Sequence, residues 1–243
     1  MWRVRVGVRT VYNRLLKAGL RKRRPYVAPL LTNIHKKMRE KWAMRKCLWR
    51  EVWGRIIFSD ESRFTRLSND RRVMVWRRKC QRFHENNIKV ASQGNGGSVL
   101  VWGAIWKGGR SPLLVLRKPV TGNSYLSLLQ QFFESENLPQ RFMFQDDNAP
   151  PHRSKLVMNF HRQRGTRHLD WPSRSPDLNP IEHVWDLIGR RVSRELFDNT
   201  KDLERKIVQE WNQVHQSDID NLIDSMPRRV KAVITQKCGI THY

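Results

Sequence analysis

The chain contains segments whose apolar residues recur at helical spacing, separated by short apolar runs that are typical of buried strands. Helical spacing predicts helices over residues 9–19, 30–53, 123–135 and 153–163, one starting at Pro180, and two or three more within 200–234. The apolar runs predict strands at residues 55–58, 73–76, 98–106, 113–116, 142–145 and 167–171. Consecutive strands followed by a β-α-β-α order indicate an α/β fold, a mixed sheet with helices on its faces.

Two of the predicted helices carry recognisable end signals. Thr10 can cap the first helix and Gly19 can end it. Asn179 suits the N-cap of the later helix, and Pro180 suits its first turn. Apolar residues spaced along that later helix predict one buried face, formed by Ile181, Val184, Trp185, Ile188 and Val192.

Positive charge is concentrated at the N-terminus. The 243 residues include 47 Lys and Arg against 22 Asp and Glu, a net charge of +25, and the first 50 residues hold 16 of those cations with one acid, Glu40. Such a charge predicts a polyanionic partner, because Lys and Arg displace condensed counterions from phosphates. Charge alone leaves DNA, RNA and anionic lipid open, and a merely solvated basic face is the alternative.

Several classes of protein are excluded by composition. The longest apolar run has about nine residues, whereas a membrane-spanning helix needs about 20, so no membrane segment is expected. Three distant cysteines argue against a disulfide framework, and an intracellular protein is expected. The spacing of His152, His161, His168 and His183 predicts structural or solvent roles and not a zinc site.

Three acids follow strands or begin a helix. Asp60 and Asp147 each follow an apolar strand run, and Glu182 lies in the first turn of a helix. Sheet proteins of this kind place their sites at strand ends, so the three side chains can converge, where hard cations such as Mg²⁺ would neutralise them. The alternative is that these acids only cap turns and helix N-termini.

The sequence around these acids resembles the Tc1 branch of the Tc1/mariner transposases. The resemblance lies in four ordered motifs, at residues 58–62, 97–105, 145–152 and 171–182, and extends from about residue 8 to residue 243. The 34 residues between Asp147 and Glu182 match the Asp-Asp-34-Glu signature of that branch.

The resemblance implies an RNase H-like catalytic domain and cut-and-paste DNA transposition. If the family's site residues are assigned to the matching positions of this chain, Asp60, Asp147 and Glu182 would be the catalytic residues and the ligands of two Mg²⁺ ions, for which Mn²⁺ can substitute. The implied partners are double-stranded DNA, as transposon terminal repeats and a TA target, and a second copy of the chain in a homodimer on DNA. The implied location is the nucleus.

The chain departs from the family pattern in two places. Asp146 and Asp147 stand where the family has one aspartate; spacing favours Asp147, and Asp146 should point to the other face of the strand. The first of two helix-turn-helix units is missing, so the chain is expected to be N-terminally truncated. The expected domains are a partial helix-turn-helix over 1–24, a basic helical linker over 25–53 and a catalytic domain over 54–243. The expected DNA-binding residues are Arg9, Arg14, Lys17, Arg21, Lys22, Arg23 and Arg24.

Other interpretations remain open from the sequence. Trp102 and Trp185 are expected in the core, whereas Trp171, beside a proline-rich loop, is expected at the surface near DNA. A catalytically idle or co-opted DNA-binding relic is the main functional alternative, and a basic RNA-binding or scaffold protein is another.

Overall fold

The computed structural model describes residues 6–23, 26–27, 29–66, 75–79, 81, 88–89, 97–117, 119–134, 138–236 and 238–243. The described helices are α1 (Val8–Lys17), α2 (Asn33–Lys46), α3 (Gly122–Phe133), α4 (Lys155–Arg164), α5 (Ile181–Val192), α6 (Thr200–Asn212), α7 (Gln216–Asp224) and α8 (Met226–Thr235). The described strands are β1 (Arg21–Arg23), β2 (Tyr26–Val27), β3 (Ile56–Thr65), β4 (Val75–Arg77), β5 (Ile88–Lys89), β6 (Ser98–Trp106), β7 (Gly109–Arg110), β8 (Leu114–Leu116), β9 (Met143–Gln145) and β10 (Arg167–His168).

The chain forms two compact units. The smaller contains Met1–Leu30 and Asn69–Gln93, and the larger contains Leu31–Ser68 and Gly94–Tyr243. This division differs from the predicted domains 1–24, 25–53 and 54–243. The physical reason is that α2 buries Arg39, Trp42 and Ala43 within the larger unit instead of acting as a free linker.

The described residues of the smaller unit form α1 and two short pairs of strands. β1 pairs antiparallel with β4, and β2 pairs parallel with β5. The ring of Tyr12 on α1 meets the edge of Trp76 on β4 at 5.2 Å between centroids. α1 begins after Gly7 instead of at Thr10, while Gly19 follows the helix with φ of +76°, a conformation that glycine adopts readily.

The larger unit has an RNase H-like α/β fold, as expected. Its sheet has the order β10-β9-β3-β6-β7, with β8 also paired to β6. β3 is antiparallel to β6 and parallel to β9, so the sheet is mixed. Its two faces carry separate apolar layers, because residues of a strand alternate between faces. Ile56 and Phe58 pack with α5–α8, whereas Ile57 packs with α3 and α4.

Two expected elements have different lengths in the structure. The predicted helix over 30–53 is confined to α2, which Thr32 caps by accepting a hydrogen bond from the His35 backbone N–H, and a 3₁₀ helix over Glu51–Arg55 follows. β3 continues to Thr65 because β6 pairs with it along its length. Asp60 therefore lies inside a strand and not after its end. The predicted strand over 73–76 is described only from Val75 onward, and the predicted turn at 93–97 only at Gly97.

The expectation for Trp171 is wrong. Only 4% of the residue is exposed, and its ring packs against Trp42 on α2 at 5.1 Å and Phe58 on β3 at 6.2 Å. Trp102 and Trp185 are buried, as expected. Within the described part of the chain, no helix combines the length and apolar character that crossing a membrane requires.

A buried ion pair ties the segment before α5 to the rest of the larger unit. Asp177 accepts hydrogen bonds from two guanidinium nitrogens of Arg39 at 2.8 and 2.7 Å, and from the backbone N–H of Thr241 at 2.9 Å. Its backbone carbonyl accepts from Arg229 on α8 at 2.9 Å. One aspartate thus joins α2, α8 and the C-terminal segment just ahead of the helix that carries Glu182.

We expect Asp177→Ala to lower the free energy of unfolding by about 3–5 kcal/mol, because Arg39 would remain buried without its carboxylate. Urea unfolding measures this loss. Asp170→Ala is the control, since its ion pair with Arg45 is solvent-exposed and should contribute less than about 1 kcal/mol. Equal, small losses for both variants would contradict the anchoring role of Asp177.

Candidate active site

Three carboxylates converge on the larger sheet, beside the point where β9 ends next to β3. Asp60 lies on β3, among the alternate residues whose side chains face α5. β9 runs beside β3 with Phe58 opposite Gln145, so continuing this register by two residues places Asp147 opposite Asp60. Glu182 lies in the first turn of α5, close enough to Asp60 for the two carboxyl groups to shift each other's pKa. The three acids singled out from the sequence are therefore neighbours in space.

The start of α5 is set by a local hydrogen bond. The Asn179 side-chain oxygen accepts from the backbone N–H of Ile181 at 3.3 Å, while its side-chain nitrogen donates to the Ser59 carbonyl at 3.2 Å. Asn179 thus fixes the first turn of α5 to β3, beside Asp60. The predicted apolar face of α5 is confirmed, because Ile181, Val184, Trp185, Ile188 and Val192 are all buried.

Asp60 is held by an indole. Trp185 Nε1 on α5 donates to Asp60 Oδ2 at 3.2 Å, and the Trp185 ring stacks on Trp211 at 5.0 Å. Gly103 on β6 lies opposite Asp60 in the ladder. A Cβ at Gly103 would approach Trp211 to 2.8 Å and Trp185 to 3.0 Å, so a glycine there leaves room for both rings. No role for Gly103 was predicted from the sequence, although it lies within the motif at residues 97–105.

Asp147 is half-exposed, with 54% of its side chain accessible. Its Oδ1 accepts from the Ala149 backbone N–H at 2.8 Å and lies 2.9 Å from Nδ1 of the buried His152. The other ring nitrogen of His152 lies 3.3 Å from Glu61 Oε1. No role for Glu61 was predicted from the sequence.

Asp146 occupies a different environment from its neighbour, as strand alternation predicts. Its carboxylate is buried, and Oδ1 accepts from Arg153 at 2.6 Å and from the Asn148 backbone N–H at 3.0 Å. Oδ2 lies 3.7 Å from Nδ1 of His168. These neighbours give Asp146 a structural role and leave Asp147 beside Asp60.

The electrostatics of the three acids reflect burial and mutual repulsion. Burial, reinforced by the charges of Glu182, Glu61 and Asp147, raises the pKa of Asp60 well above its usual range. Burial, with repulsion from Asp147 and Asp177, raises the pKa of Glu182 to about 7. Burial would raise the pKa of Asp147 too, but its contacts with His152 and the Ala149 N–H lower it. The Asp147 and Glu61 carboxylates overcome burial and raise the pKa of His152 to about 9.

The donor set suits a hard divalent cation. Carboxylate oxygens are the ligands that Mg²⁺ prefers, and raised carboxylate pKa values show that negative charge at Asp60 and Glu182 lacks compensation within the protein. Within the described ranges, no three His, Cys, Asp or Glu side chains already form a ready metal-binding group. The chemistry of the acids fits a metal, while their present geometry does not preform the complete set of ligands.

The expected DNA-binding residues lie in the smaller unit. Six of them are exposed on α1 or β1: Arg9, Arg14, Lys17, Arg21, Lys22 and Arg23. Arg24 lies outside the described residues. The structure therefore places the six cations in a different compact unit from the three acids.

Comparison with known proteins identifies the family. A family model described as "DDE superfamily endonuclease" matches residues 55–204. The Tc1 transposase of Caenorhabditis elegans is 34% identical over 239 residues, which cover 97% of this chain and 88% of that protein. The Tcb1 transposase of Caenorhabditis briggsae is 35% identical over 240 residues, with the same coverage of 97% and 88%.

A solved structure supports the fold independently. The Mos1 mariner paired-end complex with Mn has a TM-score of 0.75 and 18% identity, and the match covers 98% of this chain and 72% of that chain. The matched family model and the two nematode relatives span the segment that carries all three converging acids. The chain belongs to the Tc1/mariner transposases of the DDE endonuclease superfamily, whose activity is metal-dependent cleavage and transposition of DNA.

Proposed function

We propose that Asp60, Asp147 and Glu182 are the catalytic residues and together bind two Mg²⁺ ions. The observation that carries this proposal is the convergence of three carboxylates beside the end of β9, where two of them have raised pKa values. Divalent ions held there would stabilise the attacking and leaving oxygens of a phosphodiester displacement. Manganese is named in the description of the Mos1 paired-end complex, which supports Mn²⁺ as a substitute.

Contacts within the chain orient the acids of this site, although their present geometry does not preform the complete set of ligands. Trp185 orients one oxygen of Asp60, and the first turn of α5 directs Glu182 toward the same place. Because Asp147 is the most exposed of the three acids, we infer that DNA approaches from its side. Such positioning, combined with charge stabilisation, requires no covalent enzyme intermediate.

The substrate that this site suits is the end of a transposon. We propose that the enzyme hydrolyses phosphodiesters at the terminal repeats and joins the freed 3′-hydroxyl to a TA target. We also propose that it acts as a homodimer on DNA, in the nucleus; the paired-end complex of Mos1 supports an assembly with two DNA ends. A catalytically idle relic is not favoured, because Asp60, Asp147 and Glu182 are all present and converge.

The smaller unit is the proposed site of contact with DNA phosphates. Its described residues include ten Lys and Arg and no Asp or Glu. Three consecutive cations, Arg21–Arg23, are exposed on β1, which forms a two-stranded ribbon with β4. A ribbon with exposed cations suits the phosphate backbone, which positions a protein on DNA without reading its sequence.

We expect Asp60→Asn, Asp147→Asn and Glu182→Gln each to reduce Mn²⁺-dependent nicking of supercoiled plasmid roughly 100-fold or more, because each removes a carboxylate that would hold the metal ions that stabilise the transition state. Asp186→Asn is the matched control, since Asp186 lies on the same helix as Glu182 but is exposed and paired with Arg190. Undiminished nicking by the Asp147→Asn variant would overturn the assignment.

Stability should depend on pH through Glu182. Its pKa is about 7 in the fold against 4.5 in the unfolded chain, so the folded state holds this proton more tightly. Its contribution to stability is full below pH 4.5 and is lost as pH rises through 7, a change of roughly 3 kcal/mol. Without divalent ions, urea unfolding at pH 5 and pH 8 should show a smaller decline for Glu182→Gln than for wild type. An identical decline in both proteins would refute this.

Removing cations from β1 should weaken DNA binding in a salt-dependent way. We expect Arg21→Ala/Lys22→Ala to reduce the slope of log Kd against log salt by about 2, since each phosphate contact contributes about 0.9. Lys201→Ala/Lys231→Ala removes the same charge from exposed positions of the larger unit and should leave the slope nearly unchanged. Fluorescence anisotropy with a labelled duplex measures both, and equal slopes for the two double variants would contradict the ribbon contact.

A further inference from the structure

A buried histidine connects Asp147 to a second carboxylate outside the proposed triad. His152 is 3% exposed, and its ring lies between Asp147 Oδ1, 2.9 Å from Nδ1, and Glu61 Oε1, 3.3 Å from Nε2. Glu61 follows Asp60 on β3, so its side chain faces the opposite layer of the larger unit. The two ring nitrogens of His152 therefore face carboxylates of two different segments, Glu61 on β3 and Asp147 after the end of β9.

The position of the His152 ring is set by the fold and not by the acids alone. The ring stacks on Tyr125 of α3, with centroids 4.0 Å apart and planes at 27°. The His152 backbone N–H donates to the Ala149 carbonyl at 2.9 Å, which closes the turn after Asp147. Asn148, in the left-handed region with φ of 64°, anchors that turn by donating to the Trp171 carbonyl at 2.8 Å.

A histidine at this position can compensate the charge of a nearby carboxylate, which an apolar residue could not do. Glu61 has only 16% of its side chain exposed, and a buried carboxylate is costly unless it is paired. The His152 ring lies 3.3 Å from Glu61 Oε1 and 2.9 Å from Asp147 Oδ1 at the same time. The Ala149 N–H donates to Asp147 Oδ1, and His152 Nδ1 lies 2.9 Å from the same oxygen. Oδ2 is therefore the oxygen left to bind a ligand.

We propose that His152, supported by Glu61, is a positioning residue that orients the Asp147 carboxylate for metal binding. This inference rests on the proposed function, because it requires Asp147 to be a metal ligand. Groups that hydrogen-bond a ligating carboxylate restrict its orientation, and their loss typically costs 10–100-fold in metal affinity or activity. The arrangement Glu61–His152–Asp147 supplies such support from the α3 side of the sheet.

The test compares Mn²⁺ affinity with the rate of nicking at saturating Mn²⁺. His152→Phe keeps a ring against Tyr125 and removes both nitrogens, while Glu61→Gln keeps the shape and removes the charge. We expect each variant to weaken Mn²⁺ binding about 10–100-fold in calorimetric titration and to recover much of its nicking rate at high Mn²⁺. The double variant should lose no more than the stronger single variant, because the two residues act as one unit.

His161→Phe is the matched control. His161 is a buried histidine in the same layer, and its ring lies against Phe133, Phe144 and His168, not against the three acids. We expect its Mn²⁺ affinity to equal that of wild type. Circular dichroism identifies any variant that fails to fold. If His152→Phe does not fold, the isosteric variant Glu61→Gln decides the result.

The outcomes separate this inference from the proposed function. Wild-type Mn²⁺ affinity in both His152→Phe and Glu61→Gln, with binding lost in Asp147→Asn, would overturn the positioning role and leave the triad intact. Wild-type affinity in Asp147→Asn itself would overturn the proposed metal site, and the positioning role would fall with it.

Discussion

The interaction on which this structure depends is the repulsion among three carboxylates brought together where β9 ends beside β3. Burial and like charge raise the pKa of Asp60 and Glu182. In the folded protein without metal, these two carboxyl groups therefore lose their protons less readily than they would in water. In a chain with a net charge of +25, acids could have been neutralised by nearby Arg or Lys. Asp60 is contacted instead by a neutral indole, which leaves its charge available to a cation.

The surrounding fold restricts how these acids can move. Gly103 admits the Trp185 and Trp211 rings against β6, and Trp185 in turn holds Asp60. Asp177 fixes the segment before α5 through Arg39, so the first turn that carries Glu182 is anchored on its N-terminal side. Asp147 lies after a short strand, and the turn through Asn148 and His152 supplies the restraint there. Each acid therefore has a separate structural support.

The sequence predicted the mixed sheet and the neighbouring acids because the signals are local. An apolar run marks β6, and Asn179–Pro180 marks the start of α5. Burial of Trp171 was not predictable, because it depends on Trp42, which is distant in sequence. The extent of β3 past Asp60 depends similarly on pairing with β6. The contact between Glu61 and His152 has no local signal in the sequence, because it depends on how β3, β9 and α3 pack together in the folded chain.

The most direct test of this account is a crystal structure of the chain with Mn²⁺, in which anomalous scattering locates the ions. The account predicts two Mn²⁺ ions roughly 3.5–4 Å apart, coordinated by carboxylate oxygens of Asp60, Asp147 and Glu182. Ions bound elsewhere, or an Asp147 carboxylate that makes no contact with metal when Mn²⁺ is saturating, would contradict it.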